Sequence, residues 1–269
     1  MSPIPVIIMG AAGRMGSQII SLLREQNDLS LASAIEYRAH AAIGRDAGET
    51  AGGEKLGVTI TPDLPRALKT GRVVIDFTTP DVTAETASLA AKAGVPLVIG
   101  TTGLTDSQQK VVQAASKKVA VLHAPNMSIG VNLLFRLAEQ AARALGSSYD
   151  IEIVEAHHRM KKDAPSGTAL HLARLLADAI GRKLEQAAVY NRHGREAVRQ
   201  QGQIGIQSVR GGDIVGDHTV IFAGKGERLE LTHRAASRDN FARGALLAAK
   251  WIVDQPSGLY SMQDVLGKD

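Results

Sequence analysis

The first half of the chain alternates short apolar runs with amphipathic segments. Residues 17–26 carry apolar positions at helical spacing, and residues 29–35 alternate with a period of two up to Glu36. The other strand-like runs are almost wholly apolar, as strands buried on both faces are. These runs are Val6–Met9, Val73–Phe77, Val95–Ile99 and Val119–Leu122. Helical patterns near residues 82–92 and 105–117 lie between the later runs, so the order predicts an α/β fold with a parallel sheet.

The second half has a different pattern. Helices are predicted at Val131–Leu145 and Ser166–Ile180, and a strand at Ile151–Glu155. Glycine-rich turns then separate three β-rich stretches, which predicts sequential hairpins with antiparallel pairing. The three stretches are Gly202–Arg210, His218–Phe222 and Arg228–His233. We therefore expect a second, mixed α+β domain.

Two segments fall outside this scheme. Residues 39–55 hold four glycines among alanine and charged residues, which indicates an irregular excursion between strands. The helical pattern at Phe241–Val253 follows the β-rich region, and we expect it to pack back onto the first domain. The predicted boundaries are residues 1–128 with 238–269 for the first domain, and 129–237 for the second.

Composition narrows the class of protein. The chain has 269 residues and no cysteine, which rules out disulfides, thiolate metal sites and a cysteine nucleophile. The net charge of +4 is scattered and aromatic residues are only 3%, so a nucleic-acid surface with stacking aromatics is not expected. No apolar stretch approaches the ~20 residues of a membrane span, and the N-terminus lacks the features of a signal peptide. We expect a cytoplasmic protein that binds neither nucleic acid nor membrane.

The most informative feature of the first domain is a glycine turn between the first strand and the first helix. Glycines at i, i+3 and i+6 permit a tight turn, close approach of a pyrophosphate, and close helix–strand packing, while the helix N-terminus favours anions. Glu36 ends the second strand 20 residues after the last glycine, where an acidic side chain meets ribose hydroxyls. The pattern predicts a Rossmann-like dinucleotide-binding domain, although Ala12 replaces a frequent glycine. The turn is Gly10-Ala11-Ala12-Gly13-Arg14-Met15-Gly16.

The residues leave the choice of cofactor open. Arg14 or Arg38 could pair with a 2′-phosphate, whereas Glu36 would repel one, so NADH and NADPH are both compatible. Two loops at the carboxyl ends of predicted strands are candidates for holding the nicotinamide ribose and carboxamide, or are ordinary connections. They are Gly100-Thr101-Thr102-Gly103 and Ala124-Pro125-Asn126-Met127.

A run of histidines and cations connects a strand to a helix in the second half. Residues 157–162 hold two histidines and three cationic side chains, which indicates an anion site with proton-transfer groups. Ser166 is placed to cap the next helix, where free N–H groups and the Thr168 hydroxyl would bind a carboxylate. Each feature alone has an ordinary structural explanation, but together they favour a site for a small dicarboxylate.

Other site types are disfavoured. Adjacent histidines point apart on a strand, and no His-Glu-x-x-His pattern is present, so we expect no metal site. The run Gly224-Lys225-Gly226 lies in a predicted hairpin instead of preceding a helix, which argues against a phosphate loop of the nucleotide-hydrolase type.

These residues together resemble the 4-hydroxy-tetrahydrodipicolinate reductase (dihydrodipicolinate reductase) family of bacterial lysine and diaminopimelate biosynthesis, over essentially the whole chain. The glycine turn alone would not be specific; the combination is. The matching motifs are Gly-Ala-Ala-Gly-Arg-Met-Gly at 10–16, Ile-Asp-Phe-Thr at 75–78, Gly-Thr-Thr-Gly at 100–103, Glu-Ala-His-His-Arg at 155–159 and residues 161–168.

The resemblance implies a role for each motif. It implies that His157 and Lys161 are the acid–base residues, and that His158, Gly167 and Thr168 bind substrate carboxylates. It implies that the nucleotide-binding domain is followed by a domain for substrate binding and tetramerisation, giving a homotetramer. Implied cofactor contacts are Gly10 to Met15, Glu36, Gly100 to Thr102 and Ala124 to Met127.

The sequence departs from the family pattern at one position near the expected cofactor site. Members often carry an arginine directly after the acidic residue of the second strand, where this chain has Tyr37, with Arg38 next. The implied reaction is loss of water from a cyclic hydroxy-imine acid and hydride delivery from NADH or NADPH, with Lys161 or His157 as proton donor. The alternatives are another small NAD(P)-dependent amino- or keto-acid dehydrogenase, or a nucleotide-sensing regulator without turnover.

Overall fold

The computed structural model describes residues 2–267, and the chain divides into two compact units. The first contains the residues up to Ile129 and those from Asp239 onward, and the second is Gly130–Arg238. Met1, Lys268 and Asp269, which the first predicted domain includes, lie outside the described residues. Within residues 2–267, no helix has the length and apolar content needed to cross a membrane.

Twelve strands are found in the described part of the chain. They are β1 (Ile4–Met9), β2 (Leu29–Ile35), β3 (Ile60–Thr61), β4 (Val73–Asp76), β5 (Leu97–Ile99), β6 (Ala120–His123), β7 (Asp150–His157), β8 (Ala188–Val189), β9 (Ile204–Arg210), β10 (Gly216–Ala223), β11 (Arg228–Ala235) and β12 (Gly258–Tyr260).

Ten α-helices accompany them, together with a short 3-10 helix at Gly146–Ser148. The helices are α1 (Arg14–Leu23), α2 (Ala47–Thr50), α3 (Leu64–Ala67), α4 (Pro80–Ala93), α5 (Asp106–Ser116), α6 (Ile129–Leu145), α7 (Gly167–Ala179), α8 (Leu184–Ala187), α9 (Asp239–Ile252) and α10 (Met262–Val265).

The sheet of the first unit confirms the predicted α/β class. Its seven strands are parallel in the order β12-β6-β5-β4-β1-β2-β3. Val6 and Ile8 of β1 pack into a core cluster with α1 and α9, whereas Ile7 and Met9 pack into another with α4 and α5. Successive side chains of one strand thus enter cores on opposite faces of the sheet, which is why the strand sequences are almost wholly apolar.

Several short elements of the first unit were not predicted from the sequence, among them β3, α3 and α10. The short β12 adds a seventh strand beside β6, and the segment treated as an irregular excursion contains α2. Asp46 organises that segment, because its carboxylate accepts hydrogen bonds from the backbone N–H groups of Gly48, Glu49, Leu56 and Gly57. One buried carboxylate therefore orders a glycine-rich stretch that has no hydrophobic periodicity.

The sheet of the second unit corrects one prediction. Strands β10 and β11 form the expected antiparallel hairpin around residues 224–226, but β9 and β10 do not pair. The order is β11-β10-β7-β9-β8, with β9 parallel to β7 and β10 antiparallel to it. The buried Ile204 and Ile206 of β9 lie opposite Ile151 and Ile153 of β7, so their shared apolar face selects this pairing over the local hairpin.

The connection between β9 and β10 therefore passes the carboxyl end of β7. The Gly211 N–H donates to the carbonyl of His157, and the Arg159 N–H donates to the carbonyl of Gly212. Helices α6 and α7 cover the buried face of this mixed sheet. This crossover brings the ends of three strands to the histidine–lysine run.

Candidate functional site

The glycine turn after β1 has the backbone geometry that its sequence predicts. Gly10 has φ +64°, a left-handed conformation that favours glycine. A Cβ on Gly16 would overlap the Gly10 carbonyl oxygen and lie 2.9 Å from the Cα of Ala11, so a side chain there would push α1 away from the turn. Gly13 occupies the N-cap position of α1. The glycines thus permit both the turn and the close approach of helix to strand.

Hydrogen bonds tie this turn to the end of β2. The Ala11 N–H donates to the Ile35 carbonyl, and the Ala12 N–H donates to Glu36 Oε1 at 3.0 Å. The other Glu36 oxygen accepts from the Tyr37 N–H at 3.2 Å. No side chain caps the N-terminus of α1, so its first-turn N–H groups are available to an anion such as a pyrophosphate.

A cavity of about 560 Å³ adjoins the turn. Among the predicted cofactor residues, Gly10, Gly13, Arg14, Met15 and Glu36 line it. Phe77, Thr78 and Thr79 after β4 and Val82, Glu85 and Thr86 of α4 line it as well. The uncapped N-terminus of α1 beside the glycine turn fits the pyrophosphate of a nicotinamide dinucleotide, and the nearby Glu36 carboxylate fits its ribose.

The loops after β4 and β5 are joined by a cluster of threonines and one buried carboxyl. Asp76 Oδ1 accepts hydrogen bonds from the N–H and the hydroxyl of Thr78 at 2.8 and 2.6 Å. The Thr83 hydroxyl, on α4, donates to the Thr101 hydroxyl at 2.7 Å. Burial raises the pKa of Asp76 despite the hydrogen bonds from Thr78 that oppose the shift. Thr101 is one of the cofactor contacts that the family resemblance implies, whereas the sequence assigned no separate role to Asp76.

Other predicted cofactor residues have structural partners. The Gly100 N–H donates to the Asp76 carbonyl, and Thr101 is buried while Thr102 is exposed. Ala124 is buried and Pro125 exposed after β6. Asn126 Oδ1 accepts from the Ser128 N–H at 2.9 Å, and the Met127 side chain belongs to the hydrophobic core. Their roles in cofactor binding stay predictions.

In the second unit, the polar cluster at the end of β7 is centred on Glu155. Its side chain is fully buried and accepts a paired hydrogen bond from Arg210, at 2.8 Å to Oε2 and 2.7 Å to Oε1. It also contacts His157 Nδ1 at 2.6 Å and accepts from the Ser166 N–H at 3.1 Å. Burial alone would raise the pKa of Glu155, but hydrogen bonds from Arg210, Ser208 and His157 outweigh it and hold the pKa at about 2. The group is therefore a carboxylate at neutral pH.

His157 is the last residue of β7 and is buried. Burial lowers its pKa, and the positive charges of Lys161 and Arg210 lower it further, against the opposing effect of Glu155. The imidazole is thus neutral near pH 7. It packs edge-on against the ring of His218 with centroids 5.2 Å apart. Burial also lowers the pKa of His218, to about 4.

Lys161 lies in the loop after β7, and its Nζ contacts Asp163 Oδ1 at 2.9 Å. Its backbone N–H donates to the carbonyl of His158, which follows β7 and is partly buried. The structure thus places His157, His158 and Lys161 at one strand end, as the run in the sequence predicts.

The helix after this loop begins as expected. Ser166 caps α7, and its hydroxyl accepts from the Ala169 N–H at 3.1 Å. The same hydroxyl lies 3.0 Å from His218 Nε2. Gly167 is exposed in the first turn, and a Cβ there would meet nothing within 4 Å. The helix N-terminus at Gly167 and Thr168 is suited to bind a carboxylate.

Arg210 and His218, which reach this cluster from β9 and β10, were not predicted from the sequence. No local motif marks either residue, because both approach His157 only through the pairing of β7 with two distant strands. The only signal in the sequence was that Arg210, a charged residue, is the last position of a strand-like segment. Within residues 2–267, no cluster of three His, Asp or Glu side chains is arranged to hold a metal ion.

Comparison with known proteins identifies the family. Residues 4–127 match the family model described as dihydrodipicolinate reductase, N-terminus, and residues 130–266 match the one described as dihydrodipicolinate reductase, C-terminus. The chain belongs to the dihydrodipicolinate reductase family.

Curated relatives and a solved structure agree with this family. The 4-hydroxy-tetrahydrodipicolinate reductases of Anaeromyxobacter dehalogenans and Halorhodospira halophila are each 53% identical to this chain, over 262 and 260 residues, covering 97% of both chains. A dipicolinate-bound dihydrodipicolinate reductase from a Paenisporosarcina species matches with a TM-score of 0.78 and 25% identity, covering 96% of this chain and 97% of that one. Membership of the family makes this chain an oxidoreductase that uses a nicotinamide cofactor.

Proposed function

We propose that this chain reduces 4-hydroxy-tetrahydrodipicolinate to tetrahydrodipicolinate with NADH or NADPH, releasing water, in lysine and diaminopimelate biosynthesis. The observation that carries the proposal is the match to curated reductases along 97% of the chain. One NAD(P)H and one proton are consumed for each substrate, and NAD(P)⁺ and one water are released. The cysteine-free sequence is compatible with the cytoplasm, where reduced cofactor is available, and we propose that compartment.

The first unit is proposed to bind the dinucleotide. The open N-terminus of α1 and the glycine turn would hold the pyrophosphate, and Glu36 the adenosine ribose. Arg14 and Arg38 are the candidates for a 2′-phosphate, so both cofactors remain within the proposal. When bound, the reduced nicotinamide supplies the hydride.

The second unit is proposed to bind the diacid. The N–H groups at the start of α7, with the Thr168 hydroxyl, would hold one carboxylate, and His158 and Lys161 supply further donors. Cations around His157 would stabilise negative charge that develops on the conjugated ring. We propose Lys161 as the proton donor; His157 is the alternative donor, or a group that tunes Lys161.

The proposal is tested by following NADH and NADPH absorbance when the condensation product of pyruvate and aspartate semialdehyde is supplied. Absorbance should fall with the wild-type protein. Lys161→Ala and His157→Ala should each lower turnover about 10²-fold or more while cofactor binding is kept. Lys162→Ala is the matched control, because Lys162 is the exposed neighbour of Lys161. Full activity of a Lys161 or His157 variant would refute that residue's role.

We also propose a homotetramer that assembles through the second unit. Along β7 and β10, one face is buried under helices while residues on the other face, including Val154 and Ile221, are only partly buried. Partly exposed apolar side chains such as these, on an outer sheet face, are typical of an association surface. Light scattering of the purified protein should give four times the chain mass of 28.4 kDa; a monomer at micromolar concentration would contradict the assembly.

A further inference from the structure

A single buried carboxylate touches three structural elements at the end of β7. Glu155 accepts from Arg210 at the end of β9, from the backbone N–H of Ser166 at the start of α7, and contacts His157 on its own strand. A buried carboxylate without partners would be costly, but hydrogen bonds from Arg210, Ser166, Ser208 and His157 satisfy this one. Glu155 therefore fixes the relative positions of these elements.

Arg210 also reaches the lysine loop. Its guanidinium donates to the Asp163 carbonyl at 2.7 Å, in addition to both oxygens of Glu155. The Asp163 side chain contacts Lys161 Nζ at 2.9 Å. One guanidinium is thus connected through Glu155 to His157 and through Asp163 to Lys161. Arg210 therefore helps to position both residues that are proposed to act as acid and base.

The contact with Glu155 determines which ring nitrogen of His157 carries the proton. An ionised carboxylate only accepts hydrogen bonds, so Nδ1 at 2.6 Å must be the protonated nitrogen and donate to it. In the neutral ring, Nε2 then keeps its lone pair. A Cβ on residue 216 would lie 3.0 Å from Nε2, so the glycine at this position leaves room beside that atom.

We propose that Glu155 and Arg210 are positioning residues for proton transfer: Glu155 holds His157 in the Nδ1–H tautomer, and Arg210 keeps Glu155 and the Lys161 loop in place. The inference rests on the proposed function, in which His157 and Lys161 handle the proton. Neither positioning residue needs to contact the substrate.

Several charged or titratable groups surround His157. They are Glu155 on its own strand, Lys161 and Asp163 in the following loop, Arg210 on β9 and His218 on β10. Glu155 is the group that raises the pKa of His157, whereas Lys161 and Arg210 lower it. Glu155→Gln removes that negative charge, so the acidic limb of the pH profile, where neutral His157 gains a proton, should move to lower pH.

The first test needs no substrate. Nitrogen-15 NMR of imidazole side chains, with the His157 signals assigned by their loss in His157→Gln, should show a protonated Nδ1 and an unprotonated Nε2 near neutral pH. Glu155→Gln should abolish this pattern or mix the tautomers. Glu152→Gln is the matched control, because Glu152 also lies on β7 and pairs with arginines, Arg192 and Arg199, but does not contact His157.

The second test separates positioning from binding. Glu155→Gln should lower kcat at least about 10-fold with little change in the Kd for NADH or NADPH, whereas Glu152→Gln should keep wild-type kcat. Arg210→Lys keeps the positive charge but loses the paired hydrogen bond, so kcat should fall in a protein that still folds. Circular dichroism checks folding of each variant.

The outcomes distinguish the two proposals. A wild-type tautomer and pH profile in Glu155→Gln would overturn the positioning inference. A wild-type protein that shows the Nδ1–H tautomer, lost in Glu155→Gln, but no reductase activity would support the positioning inference while refuting the proposed function.

Discussion

Glu36 connects the glycine turn to the cofactor cavity. One oxygen accepts from the Ala12 N–H, the other accepts from the Tyr37 N–H, and the side chain lines the cavity. Such a carboxylate has remaining lone pairs that can accept from ribose hydroxyls. A 2′-phosphate at the same place would be repelled by its charge.

Glu36→Ala should therefore weaken the binding of NADH more than the binding of NADPH. Loss of charge-assisted hydrogen bonds to the ribose should raise the Kd for NADH about 10-fold or more. Cofactor fluorescence titration measures both constants. Arg38→Ala is the complementary variant. It should weaken the binding of NADPH but not of NADH if Arg38 contacts the 2′-phosphate. Equal losses for both cofactors in Glu36→Ala would contradict the ribose role.

Single residues differ in how far the sequence reveals them. Some site residues belong to contiguous motifs whose geometry depends on near neighbours in the sequence, so their spacing alone indicated them. These are Gly10, Gly16, Lys161 and Ser166. Arg210 meets Glu155 across 55 positions of sequence. Only the pairing of β7 with β9 creates that contact, and no periodicity in the sequence specified the pairing.

At the scale of elements, the packing of α1 against the turn depends on Gly16. A methyl group there would overlap the Gly10 carbonyl, so Gly16→Ala must shift the helix N-terminus. We expect both a lower melting temperature and cofactor affinity reduced about 10-fold or more. Gly211→Ala is the control, since a Cβ at residue 211 would meet nothing within 4 Å. Calorimetry and cofactor titration report the two effects; unchanged values for Gly16→Ala would contradict the packing argument.

Asp76 is expected to support the loops after β4 and β5 as a hydrogen-bond acceptor, while burial of its ionisable carboxyl costs stability at neutral pH. Burial raises its pKa, and Oδ1 accepts two hydrogen bonds from Thr78. Asp76→Asn keeps that acceptor without an ionisable group, so its free energy of unfolding at neutral pH should equal or exceed that of the wild type. Asp76→Ala should lose about 2 kcal/mol or more. Urea unfolding measures both variants; equal destabilisation by the two would contradict the cost of burying this ionisable carboxyl.

The longer strands and helices of the first unit were largely predictable, because apolar strand segments alternate regularly along the chain with amphipathic helical segments. The second unit was less so. Local turn signals suggested that β9 and β10 form a hairpin, but β7 lies between them. The short β12 has three residues and gave no pattern of its own; it is a strand because β6 offers an edge.

For the whole molecule, the low pKa of Glu155 links stability to pH. Its folded pKa of about 2 lies below the ordinary value of 4.5. The stabilisation is therefore complete above about pH 5 and is lost as pH falls towards 2. By linkage it amounts to about 3 kcal/mol.

Glu155→Gln lacks this component. The difference in unfolding free energy between wild type and variant should be largest near neutral pH and shrink as pH falls through 4 to about 2. Denaturant titrations at a series of pH values measure it. A difference that stays constant over this range would show that Glu155 is not a buried carboxylate with a depressed pKa.

The central claim is hydride transfer from a nicotinamide cofactor to a cyclic hydroxy-imine diacid. Mass spectrometry of the product made with NADH or NADPH deuterated at C4 of the nicotinamide tests it directly. The reaction predicts tetrahydrodipicolinate that has lost water and carries one deuterium on carbon when the transferred position is labelled. Oxidised cofactor without deuterated product, or no turnover with either cofactor at saturating substrate, would contradict the account.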